Sequence, residues 1–243
     1  MRELNVPGYG EHIVETFRMI FRNFKLFGPL LLLAVMLELL VVGATNETVA
    51  VFTALIFLMI WLTGIFFVRQ RKAGREITFR DGLYNAMAPL MSSLAVFAMM
   101  IAECLPICLV VIAYSAAVQT DFLTMPAYAL LFWGVAGLMI LLSGYLLSSS
   151  LIAFIAVSAP GLYPWKALTT ATELMIGRRV RFVLRLIALF IVLVIIGAAV
   201  VLPLMSMRAP VWLMTGAIVI VGCSEAIFAT VYLYLYYRYL LKA

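Results

Sequence analysis

Apolar residues dominate this chain in long unbroken stretches set apart by short polar ones. Apolar runs lie near 24–44, 49–68, 92–118, 126–157, 180–204 and 211–239, each long enough for a helix across about 30 Å of hydrocarbon. Stretches such as Leu30 to Met36 and Leu189 to Ile196 are apolar on every side, whereas a membrane β-strand alternates in polarity over about ten residues. The pattern predicts an all-α polytopic membrane protein with six transmembrane helices, a single integral membrane domain over residues 1–243.

A short segment of different character stands before the first, third and fifth spans. In the first, Ile13, Phe17, Ile20 and Phe24 recur at helical spacing while Glu11, Glu15, Arg18 and Arg22 take other positions. The second carries Phe79, Leu83, Met87 and Leu90 in the same rhythm and opens with Thr78 and Asp81, a capping pattern. The third runs Pro164, Trp165, Leu168, Thr172, Met175, with Pro164 suited to a first helical position and Gly161 breaking the chain ahead of it. These segments predict three two-span hairpins, each preceded by a cytoplasmic amphipathic interfacial helix, in pseudo-repeats near 11–68, 78–157 and 162–239. The short helices lie in the headgroup layer on one reading and pack together as a docking collar on another.

Composition agrees with lipid as the solvent: 66% of residues are hydrophobic, 12% are charged and mean hydropathy is +1.16, against 45–50% apolar in soluble domains. The charges set the orientation. Arg208 is the only lysine or arginine of 17 that falls on the side opposite the rest, so the positive-inside rule places both termini in the cytoplasm. Arg69, Arg71, Lys72, Arg75, Arg178, Arg179 and Arg181 flank the spans and are read as contacts to anionic lipid headgroups; the pI of 9.4 therefore points to membrane lipids and not to nucleic acid. No secretory signal pattern precedes the first span, which is expected to stay in the mature protein. Asn46-Glu47-Thr48 matches a glycosylation sequon by chance at an outer turn, and Cys104, Cys108 and Cys223 fall inside spans as small apolar residues.

From Ser158 to Phe182 the sequence reads SAPGLYPWKALTTATELMIGRRVRF, a proline-led helix with a small-residue core and a Gly-Arg turn before span five. This stretch, with the six-span layout, resembles the YciC-like bacterial inner-membrane proteins and the membrane domain fused to some glycerophosphodiester phosphodiesterases. The resemblance implies a bacterial cytoplasmic-membrane protein and carries over no catalytic residue.

Three carboxylates, Glu38, Glu103 and Glu225, fall inside spans one, three and six. Each costs roughly 2.5–3.5 kcal/mol at a helix centre on insertion scales, so each needs compensation. One reading makes them protonated and hydrogen-bonded to neighbouring helices, with Ser143, Ser148, Ser149 and Ser150 of span four, Tyr114 and Ser115 as partners. The other makes them an ion, proton or substrate site, with Pro106 opening the helix beside Glu103. Enzyme chemistry lacks its inventory: there is no HExxH, no phosphate-binding loop and no intramembrane aspartate, and His12 reads as a solvated surface residue. No cofactor or metal is expected. Small residues in spans four (Gly134, Gly137, Ser143, Gly144, Ser149, Ala153) and six (Gly222, Ala226) place these spans at the bundle centre or at an oligomer contact, and Tyr232, Tyr234, Tyr236, Tyr237 and Tyr239 read as an interfacial belt. Two functions follow: a non-enzymatic membrane scaffold or lipid-interacting subunit, with a homo-oligomer or membrane-protein partner, or a small transporter using the three glutamates.

Overall fold

The computed structural model describes residues 8–42, 46–120, 124–159 and 161–242. Arg2 and Asp121 lie outside them, and the side chains of Asn46 and Glu47 in the sequon are likewise not described. Among the described residues the protein is all-helical: α1 (Tyr9–Arg22), α2 (Phe24–Val41), α3 (Asn46–Lys72), α4 (Phe79–Ala86), α5 (Leu90–Glu103), α6 (Leu105–Gln119), α7 (Pro126–Ala156), α8 (Pro164–Met175), α9 (Arg179–Ser206) and α10 (Val211–Lys242). Six stretches are long and apolar enough to cross a membrane: α2, Val51–Lys72, Leu90–Gln119, α7, α9 and α10. This is the composition and helix length of a multi-pass membrane protein.

The third stretch is one apolar run but two helices. α5 ends at Glu103, Cys104 forms a turn and α6 restarts with Pro106 in its first turn. Proline has no amide hydrogen to return to the preceding turn, so the backbone ladder is broken at this place.

Two compact units form. The first holds the chain up to Leu90 together with everything from Arg185 onward; the second is Met91–Leu184. In the first, α3 and α10 pack on each other and both pack on α2. Gly64 makes the α3–α10 approach possible, since a side chain there would meet the Thr230 methyl at 3.0 Å. In the second, α7 packs on α6 and on α8.

The three short helices dock in a common way. α4 packs on α3, the helix before it, and α8 packs on α7; α1 packs mainly on α10. The faces they bury differ from the large apolar stripes expected of them. α1 buries His12, Thr16 and Met19, α4 buries Gly82 and Ala86, and α8 buries Ala167, Ala171 and Met175. Phe17, Phe21, Phe24, Tyr84 and Trp165 are exposed. Small residues let backbones approach closely, and bulky ones hold them apart, so between apolar helices the small stripe makes the contact. Thr78 caps α4 by accepting the Asp81 amide, and Pro164 occupies the first turn of α8 as expected. Gly161 and Gly177, on either side of α8, adopt φ of +83° and +71°, the left-handed turns that favour glycine.

Of the spans expected at the centre, α10 is extensively buried and α7 is buried at Ser148, Ser149 and Ser150 and from Ile152 to Ala156. Gly134, Gly137, Gly144 and Gly222 each face open space, so these four glycines make no close helix contact within the chain.

Candidate functional site

The three intramembrane glutamates find different neighbours. In the first unit the Thr53 hydroxyl of α3 donates to Glu38 Oε1 at 2.9 Å. In the second, the Ser150 hydroxyl of α7 donates to Glu103 Oε1 at 2.7 Å, one of the four serines the sequence offers as partners. Ser148 and Ser149 instead return to carbonyls of their own helix, and the buried Ser143 hydroxyl has no partner. The second oxygens of Glu38 and Glu103 are buried without a partner. A buried polar oxygen left without a partner in such a place is costly.

Glu225 belongs to the first unit and faces α9, where a side chain at Gly197 would meet its Oε1 at 3.0 Å. It lines an apolar groove of about 250 Å³ with Phe17, Phe21, Phe24, Phe27, Leu193 and Phe228 among the walls. The other polar lining residue, Ser224, spends its hydroxyl on the Ile220 carbonyl, so the unpartnered Glu225 Oε1 is the groove's free hydrogen-bonding atom.

The most elaborate polar cluster of this unit is one the sequence did not disclose. His12 is fully buried, not solvated. Its Nε2 lies 3.0 Å from the Tyr232 carbonyl, which only accepts, so Nε2 carries the hydrogen and Nδ1 is a bare buried nitrogen. The rings of Tyr232, Tyr236 and Tyr239 surround the imidazole edge-on, with centroids 4.3–6.4 Å away. Burial, the dominant influence, lowers the His12 pKa; the Tyr232 carbonyl opposes this, the Arg185 charge adds to it and the Glu15 charge opposes it. Arg185 is buried, with its guanidinium 4.9 Å from the Tyr9 ring and 5.2 Å from that of Tyr236. Tyr232, Tyr234 and Tyr236 are buried too, so these three are a helix-docking surface and not the expected belt. Glu15 completes the cluster: Lys72 Nζ donates to its Oε1 at 2.8 Å and Tyr239 donates to its Oε2. Burial raises the Glu15 pKa, but these two donors and the Lys72 charge outweigh it and hold the carboxyl below its ordinary value.

Among protein-family models, curated proteins and solved structures, none matches this chain. Its chemistry is therefore read from its own residues.

The seven bases expected at headgroups divide. Arg75 and Arg181 are exposed, and Arg71 and Arg178 are half-buried. Lys72 is paired with Glu15, Arg69 sits 5.3 Å from the Phe66 ring centroid, and Arg179 lies 3.9 Å from that of Tyr145. Among the described residues no three His, Cys, Asp or Glu side chains group as metal ligands.

Proposed function

We propose that this chain is a non-enzymatic, lipid-interacting scaffold of a bacterial inner membrane. Its six spans form three hairpins, both termini are cytoplasmic, and α1, α4 and α8 lie in the headgroup layer. Kinship with the YciC-like proteins agrees with this layout through the Pro164 helix and the Gly177 turn.

The observation that carries the reading is the division of α1 into three faces. At about 100° per residue, His12, Thr16 and Met19 form the docked face. Phe17 and Phe21 form an exposed apolar face, which the exposed Phe24 continues at the start of α2, and Glu11, Arg18 and Arg22 an exposed charged one. A helix in water would bury its phenylalanines; one at a bilayer surface turns them into lipid and its charges toward water. The phenylalanine face also walls the apolar groove, which is open to an acyl chain. Glu38 and Glu103 serve as hydrogen-bonded links between helices.

A permease-like component coupled to a proton or cation is the alternative, and it rests on Glu225 alone, because the other two carboxyls are hydrogen-bonded within their own units. The open glycine face of α7 supports a second membrane helix, from another copy or a partner, packing there.

Native mass spectrometry of the purified protein tests the groove. Leu193→Trp fills it and is expected to remove one phospholipid per chain, whereas Ile195→Trp, on the exposed part of α9, leaves the count unchanged. Equal counts for wild type and Leu193→Trp contradict the reading.

A further inference from the structure

On the flank of α1 opposite the phenylalanine groove lies a second cavity of about 150 Å³, lined by Glu15, Lys72, Leu235, Arg238, Tyr239 and Lys242. Three cations meet one carboxylate there. That carboxylate is spent, since Lys72 takes one of its oxygens and Tyr239 the other. Lys72–Glu15 is the one salt bridge among the described residues, so Arg238 and Lys242 bring their charges to the cavity with no acid paired to either. The ends of α3 and α10 account for Lys72 and Lys242, because cations are favoured in a helix's last turn. They do not account for Arg238, one turn further in, which shares the same side of α10 with Leu235 and Lys242.

We propose that this cavity binds a phosphate group. The volume equals that of several waters at roughly 30 Å³ each, enough for a tetrahedral oxyanion. Arg238 offers a planar fork of donors, and Lys72 and Lys242 offer point charges, the donor set that recognises phosphate oxygens. Glu15 repels the anion and at the same time fixes Lys72 at the rim, so the site is selective for a ligand with enough charge to overcome one carboxylate. Leu235 and the Tyr239 ring give one side an apolar wall, suited to the glycerol end of a lipid headgroup. The phosphate comes either from an anionic phospholipid, which rests on the lipid-interacting reading above, or from a soluble phosphate compound, which does not.

The full chain in detergent is titrated with phosphatidylglycerol and phosphatidylcholine by native mass spectrometry, and with inorganic phosphate by calorimetry. Binding of phosphatidylglycerol alone assigns the site to lipid, and binding of inorganic phosphate assigns it to a soluble ligand; either supports the proposal, and binding of neither overturns it. Arg238→Gln/Lys242→Gln is expected to weaken the observed binding by about tenfold or more, as loss of charge-assisted hydrogen bonds does. Arg80→Gln/Lys166→Gln, which removes the same charge from exposed positions outside the cavity, changes it less than about twofold. Glu15→Gln is expected to strengthen binding, a direction that damage to the fold does not produce. Wild-type affinity in Arg238→Gln/Lys242→Gln, or equal losses in the two double variants, overturns the proposal. The groove count for Leu193→Trp is read separately, so the phosphate site and the lipid reading can fail independently.

Discussion

Gly82 has no side chain because the ring of Phe67 stands where one would be: a Cβ at position 82 would lie 2.1 Å from Phe67 Cε1. Phe67 is fully buried, with the Phe27 and Phe79 rings 5.9 and 6.0 Å from it, so it cannot move aside without disturbing α2, α3 and α4. Gly82→Ala is expected to destabilise the protein by about 1–3 kcal/mol, the usual cost of overpacking a filled core. Denaturant unfolding in detergent measures it, and Phe67→Leu in the same chain should recover part of the loss. Wild-type stability for Gly82→Ala would contradict the docking of α4 on α3.

The α1–α10 contact is expected to weaken in mild acid. His12 faces Tyr232, Tyr236 and Tyr239 of α10, Arg185 of α9, and Glu15 on its own helix. Its pKa is lowered from 6.5 in the folded chain, so the unfolded state binds the proton more readily. Its stabilising contribution is therefore complete above pH 6.5 and is lost as pH falls toward the lowered value. Glu15, lowered from 4.5, has the same sign but acts only below that pH. Protease cleavage within α1, followed from pH 8 to pH 5, should accelerate toward acid in the wild type and be flat in His12→Phe. The same acid dependence in both would assign it elsewhere.

Glu38 and Glu103 are expected to tolerate loss of charge better than loss of the hydrogen bond. Glu38→Gln and Glu103→Gln keep an acceptor for Thr53 and Ser150, whereas Glu103→Ala and Ser150→Ala do not. Interhelical bonds of this kind contribute about 0.6–1.7 kcal/mol in membrane proteins. A double-mutant cycle of Glu103→Ala with Ser150→Ala should return a coupling in that range. Coupling of zero, or a glutamine variant as unstable as the alanine one, would show that the carboxyls are held by charge instead.

Arg208 is the one non-glycine among the described residues with a left-handed backbone, at φ 51°. The turn leaving α9 is closed by the Ala209 amide donating to the Leu204 carbonyl at 3.0 Å, the helix-end geometry that favours glycine. Arg208→Gly is expected to stabilise the protein by about 0.5–1 kcal/mol, read as a higher midpoint in thermal unfolding; a lower midpoint would contradict the assigned turn.

The spans were legible because a run such as Leu189 to Ile196 leaves a helix no polar side and a strand no alternation. The break near Glu103 was legible too, since Pro106 removes a backbone donor whatever surrounds it. The docking faces were not. A search for periodic large apolar residues finds Phe17, which reaches only the groove beside Phe228, and Trp165, which is exposed, and misses Gly82, Ala167 and Ala171, which are the buried ones. In an apolar solvent bulky side chains gain little from burial, so size marks the outward face and smallness the contact. His12 was hidden for a related reason: its fitness for burial depends on a carbonyl and three tyrosines more than two hundred positions away, and no local pattern reports them. Ser150 could be named among four candidates for Glu103, but which serine leaves its own helix is decided by packing. Thr53, 15 positions beyond Glu38 on the next helix, is a partner that sequence separation alone could have suggested.

The lipids that stay with the wild-type protein through purification, identified and counted by mass spectrometry and compared with the membrane of origin, test the central claim most directly. A lipid-interacting scaffold is expected to retain phospholipid in a fixed ratio to the chain, enriched in acidic headgroups relative to the source membrane. Complete delipidation without loss of the folded state, or retained lipid with the same headgroup composition as the bulk, would contradict it.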